Sequence, residues 1–414
     1  MSGKKILIVT SVFPYPLNSG GAQAQFHMID RLRKEMDVSL AYISNSSGSE
    51  QELKALWPDV SFYGYQGRIP NFFLRKYKKI ISRLYAKLDI HKETLINPVL
   101  SYSFEKKLNY GFIDFLQNIV ESNKIGIIQF EFTERLNLAF GFPDIKRIFI
   151  QHEIHFIRNR RFIKDPKLLP AHDYYKFNML KRQEITCMNA CDAVVTLTET
   201  DKRILEKEGV KAPVYVSPAI IPAPAAVLPA DYQYAGNIIF IGGEQHHPNY
   251  EGVMWFLSQV WNRILQERPD SRLILIGKWG RKTQAQICRD YKNIQMPGFV
   301  PSLAPYQTTS IMIIPILTGS GMRMKIIEAA NRGIPFVTTT VGVEGMDFIN
   351  NSDCYIADAP GDFAKKTIEL MDSRQAQLRF RENAFRIITE RYSPDALFKQ
   401  RLHVYEEIAR SISE

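Results

Sequence analysis

The segment Pro315–Pro335 reads PILTGSGMRMKIIEAANRGIP and directly follows the apolar run Ile311–Ile314. The apolar run predicts a buried strand, the Gly-Ser-Gly sequence predicts a turn, and the residues from Met322 onward predict a helix. A second apolar run, Phe336–Thr339, predicts the next strand. A strand, turn, helix and strand in this order are typical of a parallel sheet covered by helices, so the segment favours an α/β fold.

The same alternation continues on both sides of this segment. The other predicted strands are Lys5–Val9, Val38–Ile43, Ile125–Phe130, Ile148–Gln151, Ala193–Thr198, Ile238–Ile241 and Leu273–Ile276. Pro213–Pro229 contains five prolines and little helical pattern, which indicates a linker. The sequence therefore predicts two doubly wound, Rossmann-like domains that face each other across a cleft, where ligands of such sheets bind.

Length and composition limit the function classes. A chain of 414 residues with 45% hydrophobic and 23% charged residues is long enough for two or three ordered domains. No apolar run reaches the roughly 18 residues of a membrane span, and Ile6–Val9 is too short for a signal peptide. We therefore expect a cytoplasmic protein, with the inner face of the membrane as an open alternative. Four cysteines do not form a disulfide framework, and the Cys187/Cys191 pair has no matching histidines for a metal site.

The net charge of +10 is concentrated in the N-terminal half. Residues 68–107 contain ten basic and three acidic residues, and residues 146–167 contain seven and two. Residues 72–88 have the pattern of a basic amphipathic helix, which predicts either contact with an anionic membrane or an insertion packed on its domain. Nucleic acid is a poor alternative, because the aromatic residues of this helix share its apolar stripe.

The Gly-Ser-Gly turn has the chemistry of an anion site. Gly319 and Gly321 allow the backbone to approach a ligand closely, and the free N–H groups of a helix N-terminus bind anions. Arg323 and Lys325 would oppose the helix dipole by about 0.3–1 kcal/mol each, which is reasonable if a phosphate normally binds there. Glu328, further along the helix, could accept a sugar hydroxyl. The pattern is neither a P-loop nor the Rossmann Gly-x-Gly-x-x-Gly fingerprint.

The segment GSGMRMKIIEAANRGIPFVTTTVGVEG, residues 319–345, resembles the donor-site signature of retaining nucleotide-sugar glycosyltransferases. These enzymes have the GT-B fold and form family 4, glycosyl transferases group 1. FIGGEQHHPNYEGVMWFLSQVWNRI, residues 240–264, resembles the start of their C-terminal domain. FPYPLNSGGAQAQFHMIDRL, residues 13–32, resembles their acceptor-side loop, and the likeness is weakest over residues 50–120.

The resemblance implies a role for each matching residue. The residues implied to contact the donor are Gly20 and Gly21 near its phosphates, Ser320, Gly321 and Met322 at the pyrophosphate, Val300 at the base and Glu328 at the ribose. Arg323 and Lys325 would stabilise the departing nucleoside diphosphate, and His152 would touch the sugar. Many relatives have a glutamate eight positions before Glu328, where this chain has Ser320. In this respect it resembles a subgroup with Gly-Ser-Gly-x-Arg-x-Lys.

The resemblance also implies a domain plan. Residues 1–215 would bind the acceptor, 216–235 would form the linker, 236–393 would bind the donor, and the helix 394–414 would pack back on the first domain. The implied reaction moves a hexose-type sugar from a nucleotide sugar to a glycan or glycolipid of bacterial-type surface polysaccharide. It would need no cofactor or metal, since no Asp-x-Asp motif occurs. A hydrolase is less favoured, because no second carboxylate is evident.

Several alternatives stay open at this point. A nucleotide-sugar 2-epimerase or a non-catalytic nucleotide-sugar or glycan-binding homologue would share the same fold. His152 could instead be a structural residue or form a metal pair with His155, three positions later. Asn249 is interpreted as the cap of the helix that follows it, with Glu251 in the first turn.

Overall fold

The structure is a computed structural model that describes residues 5–17, 19–44, 48–66, 110–162, 170–222 and 227–410. The chain divides into two compact units: Met1–Ala219 with Phe398–Glu414, and Ile220–Leu397. The predicted basic helix 72–88 lies outside the described residues. Among the helices that are described, none combines the length and the apolar character needed to cross a bilayer.

Seven described strands of the first unit form one parallel sheet in the order β3-β2-β1-β4-β5-β6-β7. The strands are β1 (Lys5–Thr10), β2 (Asp37–Ile43), β3 (Ser61–Tyr65), β4 (Ile127–Glu131), β5 (Lys146–Gln151), β6 (Ala193–Thr196) and β7 (Val214–Val216). The helices are α1 (Gly20–Leu32), α2 (Ser49–Leu56), α3 (Tyr110–Asn123), α4 (Thr133–Leu136), α5 (His155–Phe162), α6 (Ala171–Asn189) and α7 (Glu199–Lys207).

The sheet of the first unit is covered on both faces. In β1, Leu7 and Val9 join the hydrophobic core on one face, whereas Ile6 and Ile8 join the core on the other. A strand buried on both faces has an unbroken apolar run instead of an alternating pattern, as the sequence of β1 shows. The direction of strand order reverses between β1 and β4, which makes their carboxyl ends the topological switch point of this sheet.

Six described strands of the second unit form a parallel sheet in the order β10-β9-β8-β11-β12-β13. The strands are β8 (Asn237–Ile241), β9 (Arg272–Ile276), β10 (Ile294–Gly298), β11 (Ser310–Ile314), β12 (Phe336–Thr338) and β13 (Tyr355–Ile356). The helices are α8 (His247–Trp255), α9 (Asn262–Glu267), α10 (Arg281–Asp290), α11 (Ala304–Gln307), α12 (Met324–Asn331), α13 (Thr340–Val343), α14 (Pro360–Asp372), α15 (Arg374–Arg391) and α16 (Pro394–Arg410). The switch point lies between β8 and β11.

Helix α16 begins in the second unit, and its residues from Phe398 onward belong to the first. Val404, Tyr405 and Ile408 lie in the core of the first unit, where they are at most 4% exposed. The buried guanidinium of Arg401 donates from Nε to Ser217 Oγ at 2.8 Å and from Nη2 to Ser217 O at 2.9 Å. The end of α16 is therefore anchored beside β7 by both apolar and polar contacts.

Two parallel α/β sheets confirm the predicted fold class. Each predicted strand is matched by an observed strand within two residues at either end. Four observed strands, β3, β7, β10 and β13, were not among those predicted, and β7 lies at the start of the stretch Pro213–Pro229 that was interpreted as a linker. The helix predicted from Met322 begins at Met324 instead, because Arg323 has an extended backbone with φ −85° and ψ 90°. Met322 and Arg323 therefore belong to the loop that precedes α12 and not to its first turn.

Candidate functional site

The turn after β11 lies at the switch point of the second unit. Gly319 and Gly321 have φ angles of 116° and 78°, in the left-handed region that glycine adopts without strain. Ser320 and Met322 are 7% and 9% exposed. The turn therefore holds the backbone of Ser320, Gly321 and Met322 in one short loop at the N-terminus of α12, as the sequence predicts for an anion site.

Arg323 is the N-cap residue of α12, and its guanidinium folds back onto the turn. Its Nη1 donates to the carbonyl of Gly321 at 2.8 Å and also to the carbonyl of Ser320. These contacts place a positive charge directly beside the glycine turn. The side chain thus neutralises two carbonyl dipoles that would otherwise oppose an anion at this position.

Lys325 extends from α12 toward the end of β8. Its Nζ lies 5.7 Å from the ring centroid of Phe240, and a Cβ on Gly242 would lie 3.0 Å from its Cε. Burial lowers the pKa of Lys325 to about 8, with Glu328 raising it and Arg323 lowering it further. Among the described residues, no carboxylate forms an ion pair with Lys325, so its confined ammonium group is a candidate partner for an anion.

The interpretation of Asn249 as a helix cap is wrong. His246 is the N-cap of α8, and Asn249 lies within the first turn, 3% exposed. Its Nδ2 donates to Gly243 O at 2.8 Å, so the amide holds the loop after β8 instead of the helix N-terminus. Pro248 also has no backbone N–H to cap in this turn.

Glu251 does not lie in the first turn of α8 either. Its Oε2 accepts a hydrogen bond from Thr318 Oγ1 at 2.6 Å. Thr318 is 4% exposed and directly precedes the glycine turn. Glu251 therefore connects α8, which follows the loop after β8, to the loop after β11.

The two remaining donor predictions of the second unit, Glu328 and Val300, lie further from the turn along the chain. Glu328 is in α12, where its Oε1 pairs with Arg332 Nε at 3.3 Å and its side chain is 27% exposed. Val300 follows β10, which is the edge strand of the sheet, two strands away from β8. The structure therefore groups Ser320, Gly321, Met322, Arg323 and Lys325 in one loop and helix start, with Glu328 on the same helix and Val300 on a separate loop.

In the first unit, Gly20 and Gly21 form the first two positions of α1. The helix is capped by Ser19, whose side chain accepts from the N–H of Ala22 at 3.2 Å. A Cβ on Gly21 would lie 3.0 Å from the ring of Phe132, so a side chain there would displace that ring. Gly21 thus allows the loop after β1 to approach the loop after β4.

His152 follows β5 and meets a carboxylate from β4. Its Nε2 lies 2.5 Å from Oε2 of Glu131, which is 3% exposed at the end of β4. The ring of Phe132 stacks on the imidazole at a centroid distance of 4.1 Å and an interplanar angle of 17°. Phe132 has φ 65° and ψ 149°, a backbone conformation that costs free energy for a residue other than glycine. Its ring packs between Gly21 and the imidazole of His152.

Glu131 is a functional candidate that the sequence analysis missed, and it corrects the statement that no second carboxylate is evident. The available signal was a glutamate that ends the mostly apolar strand sequence IIQFE.

His155 has a different environment from His152. Its side chain is buried, and its backbone N–H donates to Glu184 Oε1 at 3.1 Å. Burial lowers the pKa of the His155 imidazole well below its usual value.

Part of the sequence matches a known protein family. Residues 235–373, which include both loops of the switch point in the second unit, match the family described as glycosyl transferases group 1. The chain is a glycosyltransferase. This glycosyltransferase is also 21% identical to an uncharacterized 44.6 kDa protein in the cps region of Klebsiella pneumoniae, over 95% of this chain and 98% of that one.

Solved structures of similar fold cover nearly the whole glycosyltransferase. TarM of S. aureus has a TM-score of 0.68 at 12% identity, over 98% of this chain and 99% of TarM. HepE of Anabaena, solved with UDP and glucose, has a TM-score of 0.65 at 11% identity, over 98% and 100%. Sucrose-phosphate synthase of Thermosynechococcus elongatus has a TM-score of 0.71 at 12% identity, over 99% and 100%. These likenesses support the GT-B architecture of two parallel α/β sheets.

Proposed function

We propose that the enzyme transfers a sugar from a nucleoside diphosphate sugar to a glycan or lipid-linked acceptor, without a metal ion and with retention of configuration. The observation that carries the proposal is the confined ammonium group of Lys325 beside the glycine turn at the switch point of the second unit. Cations and free N–H groups at a helix N-terminus are suited to the charge of a diphosphate.

The donor is assigned to the second unit. When the bond between the anomeric carbon and the phosphate oxygen breaks, the electron pair stays on the nucleoside diphosphate. Arg323, Lys325 and the N–H groups of the turn would stabilise that charge, so the residues themselves supply what a metal supplies in other transferases. HepE was solved with UDP and glucose, which supports a nucleotide-sugar donor for this fold.

The acceptor is assigned to the first unit, near His152. A histidine held by a buried carboxylate has a fixed orientation and can bind a hydroxyl group or accept its proton. TarM was solved with alpha-GlcNAc-glycerol and UDP, and the Klebsiella relative lies in a cps region. Both findings support an acceptor that belongs to a surface polysaccharide.

The test is thermal unfolding of the full chain with UDP, GDP, ADP and CMP, each with and without EDTA. A ligand at a hundred times its dissociation constant adds about 2.7 kcal/mol to the stability of the native state. For two units of this size, that raises the unfolding midpoint by about a degree or more. We expect one diphosphate to raise the midpoint equally with and without EDTA.

The diphosphate that binds identifies the base, and the matching nucleotide sugars are then tested for transfer. The variant Lys325→Met should lose the thermal shift, whereas Lys366→Met should keep it. Lys366 is a suitable control because its Nζ also lies over an aromatic ring, 4.3 Å from the centroid of Tyr355, but on α14. No shift with any nucleotide would contradict the donor assignment, and donor loss without an acceptor-linked product would favour epimerisation or hydrolysis.

A further inference from the structure

A row of buried hydrogen bonds connects the last helix of the chain to His152. Tyr405 Oη donates to Gln129 Oε1 at 2.6 Å, and Gln129 Nε2 donates to Glu131 Oε1 at 2.6 Å. The other carboxylate oxygen of Glu131 lies 2.5 Å from His152 Nε2. Tyr405 and Gln129 are fully buried, and Glu131 is 3% exposed. The four side chains therefore form one continuous network inside the first unit.

Chemistry fixes the direction of each hydrogen bond in this network. An ionised carboxylate only accepts, so Gln129 must present its amide nitrogen to Glu131, and the neutral ring of His152 must carry its proton on Nε2. The amide oxygen of Gln129 then faces Tyr405, whose hydroxyl is the donor. A flipped amide would place its oxygen against the carboxylate, where two acceptors repel. When the ring of His152 is neutral, this arrangement leaves its Nδ1 without a proton.

We propose that Tyr405 is a positioning residue, which acts through Gln129 and Glu131 to fix the orientation and the tautomer of His152. Tyr405 contributes no atom to His152 itself, and it lies 276 positions along the chain from Gln129. Its part in transfer rests on the proposed function, in which His152 faces the substrate. The network itself is a property of the fold and can be tested without a substrate.

A second residue of α16 supports this arrangement. Arg401, one turn before Tyr405, is 2% exposed and lines the same small cavity as Glu131, His152 and Gln25. The buried guanidinium places a positive charge in the wall of the cavity that Glu131 also lines. The bonds of Arg401 to Ser217 also hold α16 in place, so the hydroxyl of Tyr405 has a constant position.

The test follows the titration of His152 by NMR in the full-length protein with isotope-labelled histidine. The variant His152→Asn assigns the signal by its disappearance. In Tyr405→Phe, the amide oxygen of Gln129 loses its donor, so Gln129 and the carboxylate of Glu131 are no longer held in one position. We expect the NMR titration curve of His152 to change, and a mixture of the two tautomers to replace the single one.

The variant Gln129→Met interrupts the same network at its next residue and should change the titration in the same direction. Combined with Tyr405→Phe, it should add little further change, since residues of one network are not additive. It also keeps the inference testable if Tyr405→Phe does not fold. An unchanged titration and tautomer in both single variants would overturn the inference.

Tyr232→Phe is the matched control. Tyr232 is as buried as Tyr405, and its hydroxyl donates to Ser310 O at 3.0 Å in the second unit. The control should lose stability by a comparable amount in thermal unfolding but leave the His152 titration unchanged. An equal change in this control would also overturn the inference. If Tyr405→Phe changes the titration but the wild-type protein transfers no sugar, the network is supported and the proposed function fails.

Discussion

The switch points of the two sheets carry candidate sites of opposite construction. In the second unit, the site is a contiguous run from Gly319 to Lys325, built from two glycines, backbone groups and two cations. In the first unit, it is a network of side chains from β4, β5 and α16, in which the hydrogen-bonded partners lie as far as 276 positions apart. The comparison shows that a loop with the backbone geometry expected of an anion site can be recognised in a sequence, whereas a cluster made by long-range side-chain contacts cannot.

The largest effect is expected from the second unit. Lys325→Met should lower the rate of sugar transfer by about a hundredfold to a thousandfold, since this is the usual loss when one group that stabilises developing negative charge is removed. Steady-state kinetics with the identified donor measure the change. The matched variant Lys366→Met, which also removes a lysine from above an aromatic ring, should retain the wild-type rate. An equal loss in both variants would mean that the assigned turn has no special role.

A smaller effect is expected from the first unit. Glu131→Gln keeps the shape of the side chain but removes the charge that accepts from His152 Nε2. A hydrogen bond to a charged group contributes about 1.5–3 kcal/mol, so transfer should fall by about tenfold to a hundredfold. Thermal shifts with the nucleoside diphosphate should remain, because the diphosphate is assigned to the second unit. Loss of the thermal shift in Glu131→Gln would contradict this separation of roles.

Much of the second unit was predictable for a physical reason. Its apolar runs give four of the six described strands, β8, β9, β11 and β12. The glycines between β11 and α12 have positive φ angles that few other residues adopt. Arg323 and Lys325 could be assigned to the anion site because cations at a helix N-terminus are otherwise unfavourable. The exact start of α12 was not predictable, because it depends on the bonds from Arg323 to the carbonyls of the turn.

The network of the first unit could be predicted only in part. His152 was named because it follows an apolar strand at the position of the cleft histidine of the family that the sequence resembles. Glu131 and Gln129 lie within a buried strand, and their polar character alone does not reveal a partner. Tyr405 lies on a helix whose position beside β4 is a result of tertiary packing. Asn249 was misassigned for the same reason, since its partner, the carbonyl of Gly243, is fixed by the loop after β8.

The smallest expected effect is the pH dependence of nucleotide binding in the second unit. It tests whether the two candidate sites act separately. Burial lowers the pKa of Lys325 to about 8, so the free enzyme loses this charge as the pH rises through 8. The terminal phosphate of UDP, with a pKa near 6, is already ionised in this range. If UDP is the nucleotide that binds, its affinity should be nearly constant below pH 7.5 and fall by about tenfold per pH unit above 8, measured by calorimetry.

Replacement by arginine separates the charge of Lys325 from its titration. The guanidinium keeps its charge throughout the range from pH 7 to pH 9.5, so Lys325→Arg should bind UDP with an affinity that no longer falls above pH 8. Glu131→Gln should leave the wild-type profile unchanged, since the diphosphate is assigned to the second unit. A profile that stays steep in Lys325→Arg would assign the titration to another group. A profile changed by Glu131→Gln would show that the network of the first unit affects the binding of UDP that is assigned to the second unit.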